Sequence, residues 1–207
     1  PALVDFTTAM ALRSRAFWLV TIAGLTAAFA GAPLTIFQNI RMGDLGYTAM
    51  EAAAFFTMRL AFSYVGRVGV MVTGDWLSAK VSPRFIVFVG YAMETVGMTF
   101  FALGTATWYF YAWAALDGMG LGIIVPGLAS LMGSYFGRSS FGFIYGLRIG
   151  LSAIGAAIAP TFVGWLSDVR KGDWLAPFMV IVVGYGLSAV IYIFCTPPKE
   201  QTREQVR

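Results

Sequence analysis

The sequence contains no histidine and a single cysteine, Cys195, and it has few charged residues. Zinc sites, haem ligation and disulfide frameworks usually draw on several of these side chains, so we expect neither a metal nor a cofactor. Charged residues make up 12% of the chain, about half of their usual share in soluble domains. This composition excludes a water-soluble globule.

Apolar residues, in contrast, are abundant: they form 58% of the 207 residues, close to the roughly 120 that six membrane-spanning helices need. Membrane strands need only about 10 residues with alternating polarity, and the apolar runs here are longer and do not alternate. We therefore predict an all-α membrane protein with tails at 1–15 and 197–207. The six predicted transmembrane helices are 16–38, 48–73, 85–105, 108–132, 141–166 and 174–196.

Lysine and arginine outside these spans are distributed unequally between the two sides of the membrane. Three lie on one side, Arg41, Arg170 and Lys171. The other side has eight, Arg13, Arg15, Lys80, Arg84, Arg138, Lys199, Arg203 and Arg207. Positive residues favour the cytoplasmic side, so we expect both termini there, in an integral protein of a bacterial inner (plasma) membrane. The cations stand singly at span ends, which favours a lipid bilayer and excludes a nucleic-acid partner.

Five ionisable residues lie inside the predicted spans: Arg59, Arg67, Glu94, Asp117 and Arg148. Each costs about 2.5–3.5 kcal/mol at the centre of a membrane unless it faces a partner or a polar cavity. A helix bundle with five such groups is expected to hold or move something polar. Two alternatives stay open: Glu94 and Asp117 neutralise the arginines as structural ion pairs, or Arg148 snorkels to the interface.

Glycine recurs every four residues on the fifth span, at Gly142, Gly146 and Gly150. Small residues at this spacing let two membrane helices approach closely. We therefore predict that this face of the fifth span packs against another helix.

The segment between the second and third spans resembles a cytoplasmic loop of the major facilitator superfamily, of the type G-W-L-A-D-R-V-S-P-R. It reads Trp76-Leu77-Ser78-Ala79-Lys80-Val81-Ser82-Pro83-Arg84. Two residues depart from the pattern: Asp75 stands where glycine is expected, and Ala79 where the gating aspartate is expected. In an alternative alignment, Asp75 is that aspartate. The resemblance implies a gating loop with Asp75, Lys80 and Arg84. It also implies that the chain is the carboxyl-terminal half of such a transporter, built as a 3+3 inverted repeat.

The last spans are similar to the oxalate/formate antiporter and monocarboxylate porter branch of this superfamily. The similarity lies in Tyr135-Phe136-Gly137-Arg138, Tyr145-Gly146-Leu147-Arg148 and Gly164-Trp165-Leu166-Ser167-Asp168, together with Gly66-Arg67 on the second span. It implies that Arg148 and Arg67 grip a substrate carboxylate. Animal monocarboxylate porters have an aspartate four residues before the second-span arginine, where this sequence has Ser63.

The resemblance implies a secondary transporter half that moves a small mono- or dicarboxylate by alternating access, as a symporter or antiporter and not as an enzyme. Arg67, Arg148, Tyr145 and Arg59 are the predicted substrate-binding residues, and Asp117 and Glu94 the coupling or ion-pair residues. The expected partner is a missing amino-terminal six-helix half, in the same polypeptide or a second chain. Alternatives are a permease for a neutral or cationic solute with structural arginines, and a non-transporting membrane sensor or scaffold.

Overall fold

The computed structural model describes residues 6–171 and 173–198, apart from the side chains of residue 75 and residues 77–79. Within these residues the chain forms seven α-helices and no strands. The helices are α1 Thr8–Arg13, α2 Arg15–Asp44, α3 Ala49–Lys80, α4 Pro83–Leu103, α5 Thr107–Phe136, α6 Phe141–Val169 and α7 Leu175–Ile193. Six of them, α2 to α7, are long and apolar enough to cross a membrane. The predicted all-α, six-span architecture is confirmed.

Several helices extend beyond the predicted apolar spans. The connection predicted at 74–84 is mostly helical, because α3 continues to Lys80 and leaves two residues before α4. Hydropathy marks the part of a helix that lies in lipid, whereas the helix itself continues until its backbone is interrupted. Pro83 begins α4 in its first turn, and Gly137, with φ of 77°, ends α5 in a conformation that favours glycine.

Both described ends of the chain lie on one side of the bundle, which we call the termini side. The backbone N–H of Phe6 donates to the carbonyl of Phe136 at 3.0 Å, and the Tyr135 hydroxyl donates to the carbonyl of Cys195 at 2.7 Å. These bonds tie the segment before α1 and the segment after α7 to the end of α5.

Each helix packs against the next in the order α3, α5, α4, α7, α2, α6. In addition, α3 contacts α2, and α6 contacts α7 and α5. Close contact between α5 and its neighbours depends on glycine. A Cβ at Gly118 would collide with the carbonyl oxygen of Arg59, one at Gly122 with that of Ser63, and one at Gly120 with that of Gly90. The backbones of α3 and α4 therefore lie directly against α5.

The first three glycines of α6 do not have the packing role that the sequence predicts. Gly142, Gly146 and Gly150 are exposed, and a Cβ added at any of them would meet no atom of the described residues within 4 Å. The prediction of a packed glycine face is therefore wrong within this chain. Spacing shows that a helix can be approached closely, but it does not show which helix approaches it. Together with α3, α6 is the least buried of the six spanning helices.

Arg41, which the sequence places in a connection, is a buried residue of α2 on the side opposite the termini. Its Nη2 donates to the carbonyl of Gly104 at 3.1 Å. Its guanidinium carbon lies 5.3 and 5.1 Å from the ring centres of Phe101 and Phe178. Cation–π contact and the hydrogen bond thus join α2 to α4 and α7 at this end.

Candidate functional site

A cavity of about 450 Å³ opens between all six spanning helices. Small residues of α2 form one wall: Gly24, Ala27, Ala28 and Gly31. The other helices contribute Arg59 from α3, Tyr91 and Glu94 from α4, Leu121 and Ile124 from α5, Arg148, Ile149, Ser152 and Ala153 from α6, and Tyr185 from α7. A few charged and hydroxyl side chains therefore stand in a mostly apolar wall, which is typical of a ligand site.

Arg59 and Asp117 form a buried ion pair at this cavity. Nε of Arg59 donates to Oδ2 of Asp117, and the two residues are 7% and 0% exposed. The contact follows from helix packing, because Gly118 brings the α5 backbone against the α3 backbone at Arg59. An intramembrane ion pair of the kind that the sequence left open is therefore present, and it joins Arg59 to Asp117.

Glu94 lies in the cavity wall, 2% exposed, and within electrostatic reach of Arg59 and Asp117. The sequence leaves open that Glu94 pairs with one of the arginines. In the structure Gly90 and Gly120 let α4 pack closely against α5, and the ion pair of Arg59 is with Asp117. The buried Oε2 of Glu94 has no hydrogen-bond partner in the part of the chain that the structure describes.

Arg148 is 7% exposed and faces the cavity, so it does not snorkel to the interface. Gly24 of α2 makes room for it, since a Cβ there would lie 2.7 Å from the guanidinium carbon. The hydroxyls of Tyr91 and Tyr192 lie near this guanidinium. No carboxylate among residues 6–171 and 173–198, the side chain of Asp75 aside, forms an ion pair with Arg148. Its charge is therefore uncompensated within the described chain.

Two predicted substrate-binding residues do not line this cavity. Arg67 is half-buried, its guanidinium carbon 5.6 Å from the ring centre of Tyr64, and it follows Arg59 by eight residues, about 12 Å along the helix. Tyr145 is half-buried and its ring is stacked on that of Phe141, with centres 5.4 Å apart. The cavity brings Arg148 together with Arg59 instead of Arg67.

The predicted gating loop is the end of α3 and the start of α4. The side chain of Asp75 lies outside the described residues. Lys80 is exposed, and its Nζ lies 4.6 Å from the ring centre of Trp76. The guanidinium carbon of Arg84 lies 4.7 Å from the ring centre of Phe85. Both cations therefore lie on the termini side of the bundle.

Three hydroxyl residues of the cavity were not predicted from the sequence: Tyr91, Ser152 and Tyr185. Each stands in an apolar run, and composition does not distinguish a residue that faces a cavity from one that faces lipid. Spacing offers a signal for Tyr91 alone, because it precedes Glu94 by three residues and shares its helix face.

The comparisons with known proteins agree on one family. Residues 19–207 match the model of the Major Facilitator Superfamily. The chain is 24% identical over 201 residues to the oxalate:formate antiporter of Oxalobacter formigenes, covering 94% of this chain and 46% of that protein. It is 23% identical over 161 residues to the glucose-6-phosphate exchanger SLC37A2 of Xenopus tropicalis, covering 70% and 32%. The chain thus spans less than half the length of these relatives.

Solved structures show the same fold. The crystal structure of FucP, a Major Facilitator Superfamily transporter in the outward conformation, matches with a TM-score of 0.73 at 17% identity, covering 92% of this chain and 45% of that one. Tetrameric PepTSo2 matches with a TM-score of 0.73 at 16% identity and the same coverage. The six helices therefore adopt the arrangement found in about half of each of these proteins.

The ion pair at the cavity predicts a specific pattern of stability. Asp117→Asn leaves the buried Arg59 charge without its partner, so we expect the full-length protein to lose about 3–5 kcal/mol of stability. The double variant Arg59→Gln with Asp117→Asn removes both charges and should recover most of the loss. Thermal unfolding of the detergent-solubilised protein measures both, with the exposed Asp168→Asn as control. Equal losses in the single and double variants would contradict the pairing.

Proposed function

The chain belongs to the Major Facilitator Superfamily, and we propose on this basis that it is one six-helix half of a transporter whose central cavity binds a small carboxylate anion. It is an integral membrane protein by its six apolar helices and its family. The family and the proteins that share its fold are transporters and not enzymes. One observation carries the proposal: Arg148 brings into a buried cavity a positive charge that forms no ion pair with a carboxylate of the described residues.

The chemistry of Arg148 fits a carboxylate. A guanidinium offers parallel N–H donors in a planar fork, which matches the two oxygens of a carboxylate. A buried cation is stable only with compensation, and a bound anion supplies it. The cavity of about 450 Å³ has the volume of about 15 water molecules, which is room for a small carboxylate and some water.

The other polar residues of the cavity complete the proposed site. Arg59, held in place by Asp117, provides a second positive group. The hydroxyls of Tyr91, Ser152 and Tyr185 orient the anion by hydrogen bonds. We assign Arg67 and Tyr145, which lie outside the cavity wall, to a further contact along the route between the cavity and the termini side.

A second six-helix half would complete the transporter and cover the exposed faces of α3 and α6. Two observations support this proposal: the matched relatives are more than twice as long as this chain, and Gly142, Gly146 and Gly150 offer an open face for close helix contact. Alternating access then results from rocking of the two halves about the cavity. Asp75, Lys80 and Arg84 would belong to the gate on the termini side.

The orientation follows from the distribution of positive residues. Arg13, Arg15, Lys80, Arg84 and Arg138 all lie at the termini side, so this side is cytoplasmic in our proposal. The membrane is the inner membrane of a bacterium, with both termini inside the cell.

An organic phosphate is a second candidate substrate, favoured by the similarity to a glucose-6-phosphate exchanger. A phosphate is also an anion that arginine binds through two donors, so the same cavity residues would hold it. Transport of a neutral or cationic solute would instead leave Arg148 with a structural role.

Substitution of Arg148 tests the proposed substrate class. Charge-assisted hydrogen bonds contribute about 1.5–3 kcal/mol each, so Arg148→Gln should lower carboxylate exchange by about 10- to 100-fold, and Arg148→Lys should lower it less. Exchange of labelled formate, oxalate and glucose 6-phosphate is measured with the full-length protein in proteoliposomes. The exposed Arg170→Gln, on the opposite side, is the matched control. Unchanged carboxylate exchange in Arg148→Gln would refute the assignment.

A glycine substitution tests the proposed contact with the other half. Because no described atom lies within 4 Å of a Cβ at Gly146, Gly146→Leu should leave membrane insertion intact and reduce transport by the full-length protein more than tenfold. Gly43→Leu has equally open space on α2 and serves as control. Insertion and transport are measured on the same membranes, and normal transport by Gly146→Leu would show that another surface makes this contact.

A further inference from the structure

Gly24 of α2 lies against the guanidinium of Arg148 in the cavity wall. We propose that Gly24 is a specificity-determining residue: because it leaves Arg148 without a carboxylate of the chain, the anion takes the part beside Arg148 that Asp117 takes beside Arg59. This inference rests on the proposed anion site and adds the residue that keeps this site open.

The six spanning helices form two repeats of three helices. Helices α2, α3 and α4 are the first repeat, and α5, α6 and α7 are the second. Corresponding helices begin 92 residues apart, at Arg15 and Thr107, Ala49 and Phe141, and Pro83 and Leu175. Exchanging each helix with its counterpart turns the packing order α3, α5, α4, α7, α2, α6 into the same order reversed. The contact of α3 with α5 therefore corresponds to the contact of α6 with α2.

Each of these two contacts holds one buried arginine. Where α3 meets α5, Nε of Arg59 donates to Oδ2 of Asp117. Where α6 meets α2, a Cβ added at Gly24 would lie 2.7 Å from the guanidinium carbon of Arg148 and closer still to its Nη2. Shifted by 92 residues, Asp117 falls on the neighbour of Gly24, and Arg148 falls three residues before Arg59. The two places therefore agree to within one helical turn.

The two arginines differ in what they bond to. Both are 7% exposed, yet Nε of Arg148 is buried without a hydrogen-bond partner among the described residues, and none of their carboxylates pairs with it. Because Gly24 has no side chain, α2 presents no acceptor side chain at the place where α5 presents Asp117. The ion pair of one contact is thus half-built in the other.

A carboxylate of the chain at position 24 would compete with every free anion. It would stay beside Arg148 at all times, without the translational freedom that a free anion loses on binding. Asp117 already does this to Arg59, whose remaining N–H groups can still donate to an anion but whose charge is paired. Gly24 therefore makes Arg148 the arginine whose charge the bound anion compensates.

Two substitutions of nearly equal size at position 24 separate charge from volume in the full-length protein. Gly24→Asp and Gly24→Asn both push against the far end of the flexible Arg148 side chain, which can shift. Exchange of labelled formate and oxalate in proteoliposomes should be lower in Gly24→Asp than in Gly24→Asn by about tenfold or more. In detergent, sodium formate should raise the unfolding temperature of Gly24→Asn and of the unmodified protein, but not that of Gly24→Asp.

The converse substitution, Asp117→Ala, opens a second place for an anion. It leaves Arg59 as Arg148 is in the unmodified protein, with the space of a small carboxylate beside it. We expect a lower unfolding temperature, which sodium formate restores by a larger increase than it causes in the unmodified protein. Sodium chloride at the same concentration corrects for ionic strength, and Asp168→Ala, which changes an exposed carboxyl of α6, is the matched control.

The outcomes separate this inference from the proposed function. Equal carboxylate exchange by Gly24→Asp and Gly24→Asn would overturn the role of Gly24 and leave the anion site intact. If neither variant folds, Asp117→Ala decides, and a formate effect no larger than in the unmodified protein would overturn the inference. Absence of any exchange of formate, oxalate or glucose 6-phosphate by the unmodified protein would overturn the proposed function as well.

Discussion

The constraint on which the rest of this structure depends is a positive guanidinium buried between membrane helices, which no carboxylate of the described residues pairs with. Arg148 is 7% exposed, and lipid provides no compensation for its charge. The bundle accommodates it by a glycine opposite the side chain, by neighbouring tyrosine hydroxyls and by a cavity that all six helices share. In our proposal, an anion bound beside Arg148 supplies the compensation that this charge needs.

Glycine in α5 makes the cluster of charges possible. The close contacts at Gly118 and Gly120 set α3 and α4 against the same stretch of α5, and these contacts bring Arg59, Glu94 and Asp117 within reach of one another. The glycines that pack the helices thus also position the charged side chains. In contrast, Gly142, Gly146 and Gly150 of α6 have no atom of the described residues within 4 Å of an added Cβ, so this face is open to another helix bundle.

Much of the fold could be predicted from the sequence, because a bilayer leaves few choices to an apolar chain. Helix number and order follow from hydropathy, and the cost of intramembrane charge makes an ion pair at Asp117 one of the alternatives that the sequence leaves open. The rotation of each helix does not follow, since a side that faces lipid is as apolar as one that faces the core. For this reason the cavity position of Glu94, the placement of Arg67 outside the wall and the burial of Arg41 appear only in the structure.

The most direct test of the account is to locate an anion in the full-length protein. A crystal or cryo-electron microscopy structure with bromoacetate, whose bromine identifies the ligand by anomalous scattering in a crystal, measures the distance between the carboxylate and Arg148. The account predicts two oxygens within about 3 Å of the Arg148 guanidinium nitrogens, between α2 and α6. Bromoacetate bound elsewhere, with Arg148 paired to a carboxylate of the protein, would contradict it.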